Sequence, residues 1–322
     1  LKPQNTSNVE AGVDLSLFNN RLRVEYTLSY QNITDQIFNV PVSGSSGYQY
    51  LLTNAGKMTT WSHELSLNAS ILQNKDYSLD FGVNFTRVWN YVNSLADGVE
   101  SIMLGGFVEP QVRAEAGSTY PIIYGNAFKR DEQGRLLLAN GLPQATSTSQ
   151  KLGNCSPDFT MGFNLGGRYK RVSVSSTWDL SVGGKMYNGT LLTLNYFGAT
   201  KASLPYHEGT MVAEGIDEAT GKVNTVEVSR QAYWQAYHDV TEAGIYDRSY
   251  LKLRDITVNY DLPRLGKFNV SVYAFARNIL VWSKLPELDP ESSQGSENMS
   301  GYFERFSVPS TKSIGAGLKI QF

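Results

Sequence analysis

The chain closes on Ile314-Gly-Ala-Gly-Leu-Lys-Ile-Gln-Phe322, nine residues whose side-chain character alternates without a break. Ile314, Ala316, Leu318, Ile320 and Phe322 fall on one face of an extended strand, and Gly315, Gly317, Lys319 and Gln321 on the other. Chain ends are usually frayed and polar, so a strand that stays apolar to its last residue needs an apolar neighbour. A closed barrel in a membrane provides one, because every strand must pair and show one face to lipid. A half-buried strand of a soluble protein would read alike in isolation. Recurrence of the pattern along the chain decides between them.

With 322 residues there is room for one large domain or two ordinary ones. A formal net charge of −2 gives no basic field for nucleic acid. Mean hydropathy is −0.29, and no run approaches the ~18 consecutive apolar residues of a membrane helix. Alternation hides a barrel from that test. The 19 Tyr, 14 Phe and 29 Gly suit strands and turns. Cys155, the one cysteine, can form no internal disulfide and reads as a loop bystander. No signal peptide stands at Leu1-Lys-Pro-Gln4, so an exported protein would have lost its start.

Read by a period of two, nine strands are expected, at 9–17, 22–30, 61–71, 77–89, 159–169, 172–182, 250–262, 268–279 and 314–322. The connections between them alternate strictly between short and long. The long segments run over 91–158, 183–248 and 281–310, with a shorter loop carrying Pro41, Gly44 and Gly47. Outer-membrane barrels place short turns on the periplasmic side and long loops outside. In the fourth strand Tyr77 and Trp89 share a face with Leu79, Phe81, Val83 and Phe85. Twelve residues at ~3.3 Å each, tilted by ~40°, span ~30 Å, the height between two aromatic girdles. Arg87 falls on that lipid face one step from Trp89, where it can snorkel into headgroups, and His63 beside Trp61 stands at a similar height. Parity places Phe322 in the periplasm and Leu1 outside. Single-chain bacterial barrels have an even strand count, so residues 1–322 are expected to be the C-terminal part of a larger barrel.

Several stretches resemble one family, the SusC-like (SusC/RagA-type) TonB-dependent outer-membrane transporters of Bacteroidetes. They include Glu10-Ala-Gly-Val-Asp-Leu-Ser-Leu-Phe-Asn-Asn-Arg-Leu22, Tyr30-Gln-Asn-Ile-Thr-Asp-Gln-Ile37, Asn54-Ala-Gly-Lys-Met58, Tyr124-Gly-Asn-Ala-Phe128 and Ser156-Pro-Asp-Phe159. Tyr250-Leu-Lys-Leu-Arg-Asp-Ile-Thr-Val-Asn-Tyr-Asp-Leu-Pro263 is the most specific, followed by Arg277-Asn-Ile-Leu280 and Leu288-Asp-Pro-Glu291. Trp61-Ser-His63 and Cys155 depart from the family's usual residues. The resemblance implies an all-β, transmembrane antiparallel β-barrel of 22 strands, of which these nine would be the last. It also implies an N-terminal plug domain and TonB box outside this chain, coupling to the TonB complex, and a SusD-like lipoprotein lid. The implied function is import of an oligomeric nutrient across the outer membrane, oligosaccharide favoured over peptide. A passive porin or a surface interaction barrel is the alternative.

No enzyme motif, cofactor signature or metal spacing appears, and His63, His207 and His238 stand apart. Asp217-Glu218 and Asp289-Pro-Glu291 are acidic loop clusters able to hold a cation. The Asn68, Asn84 and Asn269 Asn-x-Ser/Thr triplets face the expected lumen and read as polar lining. The lumenal face as a whole reads as small and polar. The long segments carry large aromatics, of which Tyr187, Tyr196, Trp234, Tyr237, Tyr302 and Phe303 are the candidates for ligand or lid contact, against the bland alternative of loops folding on their own rings. Residues 190–200 and the Tyr233-Trp234 and Tyr237 stretch read as short helical pieces. Leu318, Ile320 and Phe322 are expected to signal to the barrel-assembly machinery, and the apolar strand faces to meet outer-membrane lipid.

Overall fold

The structure, a computed structural model, describes residues 1–204, 206–264, 266–294 and 302–321. Phe322, expected to end the assembly signal, lies outside the described residues. Nine long strands form one antiparallel wall in chain order: β1 Asn5–Leu17, β2 Leu22–Pro41, β3 Tyr50–Gln73, β4 Tyr77–Leu95, β5 Phe159–Tyr169, β6 Val172–Val182, β7 Tyr250–Asp261, β8 Asn269–Ser283 and β9 Ser313–Gln321. Tight turns join β1 to β2, β3 to β4, β5 to β6 and β7 to β8. Phe18, Asn19 and Asn20 make the first turn with φ of 54°, 56° and 64°, a conformation asparagine tolerates well.

Register sets which side chains meet lipid. Tyr30 pairs Trp61, and Trp61 pairs Trp89, which puts three aromatics at one height, an outer belt, on β2, β3 and β4. At the other end Tyr77 pairs Tyr169, Tyr169 pairs Val172, and Val172 pairs Tyr260. Between these belts the outward faces carry Leu, Val and Phe, exposed or half-buried in this chain, as suits lipid-facing residues. Trp178 stacks between Phe163 and Trp282, with ring centroids 5.8 and 6.2 Å away, and extends the outer belt over β5, β6 and β8.

Strands β2, β3 and β4 hold 20, 24 and 19 residues, far more than the ~9–11 a tilted strand needs to cross a bilayer. They continue above the outer belt, past irregularities at Ile33/Gln36 and Lys57/Met58. Asp35, with φ of 55°, makes the first of these. The strand expectations for this part were therefore too short at the outer end. The others end within a few residues of their expected limits, and β5 and β6 match them.

Candidate functional site

Among the described residues four small sheets lie above the wall, and two of them knit the long segments together. In the first segment, Ser101–Gly106, Gln111–Glu115, Ile122–Gly125 and Gln150–Asn154 form a four-stranded sheet. Leu137–Ala139 of that segment pairs in parallel with Ile216–Asp217 of the second. Lys185–Asn188 of the second pairs in parallel with Phe303–Glu304 of the third. The segments thus make one layer.

Polar ties reinforce it. Glu242 accepts from the Phe128 backbone N–H at 2.7 Å and forms a bidentate pair with Arg130 at 2.8 and 2.6 Å. Glu109 accepts from the Asn126 N–H at 2.7 Å, the Ser149 hydroxyl at 2.6 Å and the Thr241 hydroxyl at 3.2 Å. Buried Glu304 accepts from the Thr190 hydroxyl at 2.9 Å and the Ser307 N–H at 3.0 Å. That places its carboxylate beside the first turn of α1 (Gly189–Tyr196), where negative charge is favoured.

The candidate aromatics divide by what they touch. Phe303 is wholly buried in a cluster with Val112, Ile123 and Cys155, and Tyr187 and Tyr302 pack against it. Phe303, a candidate for ligand or lid contact, is thus buried in the loop core of this chain. Burial pushes the Tyr187 and Tyr302 hydroxyls up, as it does the Cys155 thiol. Tyr237 lies on α2 (Arg230–His238), its ring 5.3 Å from that of Phe128 in a second buried cluster, and its hydroxyl is pushed up to about 12 by burial. Tyr196 and Trp234 stand at the open side of the α1–α2 pair. The Tyr196 ring lies 5.0 Å from His238 and 4.9 Å from Phe197, which is 65% exposed. Trp234 packs edge-on to Tyr233 and Tyr237 at 5.4 and 5.3 Å. Both expected helices form, capped by the side chains of Asn188 and Ser229.

Beneath the layer a charged cluster ties the third segment to the inner face of the wall. Lys252 on β7 is completely buried and donates to Asp289 and Glu291, both at 2.5 Å. Arg254 reaches Glu291 at 2.5 Å and Asp179 on β6 at 3.2 Å. The Tyr250 hydroxyl lies 3.1 Å from Asp179 and 3.2 Å from Glu291. A register shift between Leu253 and Asp255 inserts Arg254 as the extra residue, so that it and Asp255 both turn inward. Burial alone would raise the Asp289 carboxyl, but hydrogen bonds from Lys252 and Ser310 hold it well below the usual carboxylate range. Glu291 is likewise lowered, with Arg254 and Lys252 outweighing burial. The acidic pair Asp289 and Glu291, able in sequence to hold a cation, is instead paired with the protein's own ammonium and guanidinium. Asp217 instead caps a turn at Thr220, and Glu218 pairs with Lys129. Among the described residues no group of three His, Cys, Asp or Glu could hold a metal ion.

The inner face is less uniformly small than expected. Tyr273 and Phe275 of β8 point inward opposite Gly317 and Gly315 of β9, with Arg277 5.0 Å over the Phe275 ring. Their alternation with Val272 and Ala274 was the available signal. Lower down, a hollow of about 520 Å³ is lined by Arg23, Asn68, Ser70, Asp80, Asn164 and Ser175 among others.

A nine-stranded wall with aromatic belts, short turns on one side and a knitted loop layer on the other defines a transmembrane receptor barrel. The chain belongs to the TonB dependent receptor-like, beta-barrel family, whose pattern matches residues 1–279. It is 26% identical over 361 aligned positions to TonB-dependent receptor P3 of Formosa agariphila, covering 100% of this chain and 34% of that protein. Identity to TonB-dependent receptor SusC of Bacteroides thetaiotaomicron is 22%, over 100% of this chain and 32% of that one. The RagAB peptide importer in its open-open state superposes with a TM-score of 0.72 at 22% identity, over 98% of this chain and 34% of that chain. The chain therefore spans about a third of the length of these relatives.

Proposed function

We propose that the complete protein imports an oligomeric nutrient across the outer membrane, driven by the TonB complex and working with a SusD-like surface lipoprotein. Residues 1–322 would be the C-terminal part of the barrel, with the plug domain elsewhere in the protein. The knitted loop layer carries this reading most directly. A passive pore gains nothing from three segments locked into one surface, whereas a receptor needs a preorganised one. Tyr196, Phe197 and Trp234 on its open side offer rings beside His238, a mix that suits sugar stacking as well as protein contact. Oligosaccharide is the favoured cargo on that account. Likeness to the RagAB peptide importer supports a second reading, peptide import.

Replacing Phe197 and Trp234 together by alanine tests the site. Loss of one hot-spot contact costs ~2 kcal/mol, or roughly 30-fold in affinity. Ligand uptake or lipoprotein co-purification should fall by about that factor, with unchanged barrel abundance. Wild-type values for both would reduce these rings to loop packing.

A further inference from the structure

Among the described residues, the lipid-facing side of the wall holds a charged group with no protein partner. Arg87 is exposed on β4 and makes no hydrogen bond or ion pair with any described residue. It stands two residues inside Trp89, and the register places His63 directly across from it. His63 Nδ1 is 2.8 Å from the Tyr26 hydroxyl. Trp61 and Trp89, paired in the next outward-facing row, fix the height of all three residues at the outer belt.

The wall also opens at this height. The β4–β5 ladder ends at Thr86, opposite Thr160. On that side β4 next finds a strand partner at Tyr91, opposite Thr119. Between these points lies a hollow of about 240 Å³, lined by Arg87, Trp89, Asn90, Tyr120, Asn154 and Ser156 among others. Asp158 also lines it but forms no ion pair with Arg87.

A guanidinium on a lipid-facing strand is costly unless it reaches the interface and a counter-charge. Arg87 lies ~5 Å below the Trp89 level, allowing ~3.3 Å per residue and a ~40° tilt. That is within the reach of an arginine side chain, and with no described carboxylate paired to it the counter-ion would come from the membrane. We propose that Arg87, with His63 and the hollow beside Trp89, is a seat for the phosphate of an outer-leaflet lipid headgroup. Arginine's fork suits phosphate bidentately, Asn154 lines the hollow, and Trp89 anchors the sugar or glycerol portion at the interface.

The test uses the full-length protein in detergent, with lipid adducts counted by native mass spectrometry. The probes are monophosphorylated lipid A, its phosphate-free counterpart, and inorganic phosphate. Wild type should retain the phosphorylated lipid about tenfold better than R87Q, R87K should fall between, and H63Q should lose less. Phosphate-free lipid should not distinguish the variants. Equal retention by R87Q and wild type would overturn the proposal and leave Arg87 merely snorkelling into water. Equal retention of both lipids would overturn it in favour of a general acyl-chain contact. Tight binding of inorganic phosphate alone would instead mean a free-anion site. Heat-modifiable migration of each variant confirms that the barrel is intact.

Discussion

Replacing Gly315 by alanine should destabilise the barrel through a single contact. A Cβ built at Gly315 stands 2.6 Å from two ring carbons of Phe275, where carbon contacts normally settle at ~3.5–4.0 Å. The ring would have to shift by about 1 Å. It is held between the Tyr273 ring, 6.4 Å away and nearly parallel, and the Arg277 guanidinium 5.0 Å from its centroid. Overpacking of this kind costs ~1–3 kcal/mol. Gly315 has no positive φ, so alanine fits the backbone and recovers ~0.4–1 kcal/mol from the unfolded state. The net loss should be about 1–2 kcal/mol, read by urea unfolding of the full-length protein in lipid vesicles. In a Phe275→Ala background the same change should cost nothing or stabilise slightly, giving a coupling of ~1–2 kcal/mol. If the two substitutions add to within ~0.5 kcal/mol, Phe275 does not lie over Gly315 and the inward face of β9 is misassigned.

Phe303→Ala should cost the loop layer ~3–5 kcal/mol, seen as protease cleavage in the outer loops with the barrel still heat-modifiable. Lys252→Met removes a buried charge from two carboxylates and should cost ~3–5 kcal/mol by the same readout. The Asp289 and Glu291 carboxyls are lowered in the fold, so their contribution is complete above the ordinary carboxylate range and is lost as pH falls through their depressed values. Protease access to the third segment should therefore stay constant from about pH 5 to 9 and rise only below about pH 4. Cys155 is fully buried and its thiol is raised, so impermeant maleimide should leave it unlabelled on intact cells, and labelling at wild-type stability would contradict the loop core.

Strands β5 and β6 could be read to the residue because alternation runs unbroken from one girdle to the other and a two-residue turn joins them. Strands β2, β3 and β4 were under-read because bulges at Asp35 and near Lys57 flip the parity. Above the membrane, moreover, no lipid enforces alternation. The helices α1 and α2 were legible as local composition. Phe303 was legible as an aromatic but not as a core residue, since its neighbours Val112, Ile123 and Cys155 come from the first long segment, far earlier in the chain. The Lys252 cluster was invisible for a similar reason. Asp289 and Glu291 look like a bare acidic pair until the fold brings Lys252 and Arg254 beneath them.

Topology is the most direct test of the account, since the receptor surface, the lipid seat and the import reading all need the loop layer to face outward. Cysteines at Ser45, Glu132 and Thr220, all exposed on the loop side, should react with an impermeant maleimide on intact cells. Cysteines at Lys75, Arg171 and Lys267, exposed at the short turns, should react only after the outer membrane is opened. Labelling of the turn positions on intact cells, with the loop positions protected, would contradict it.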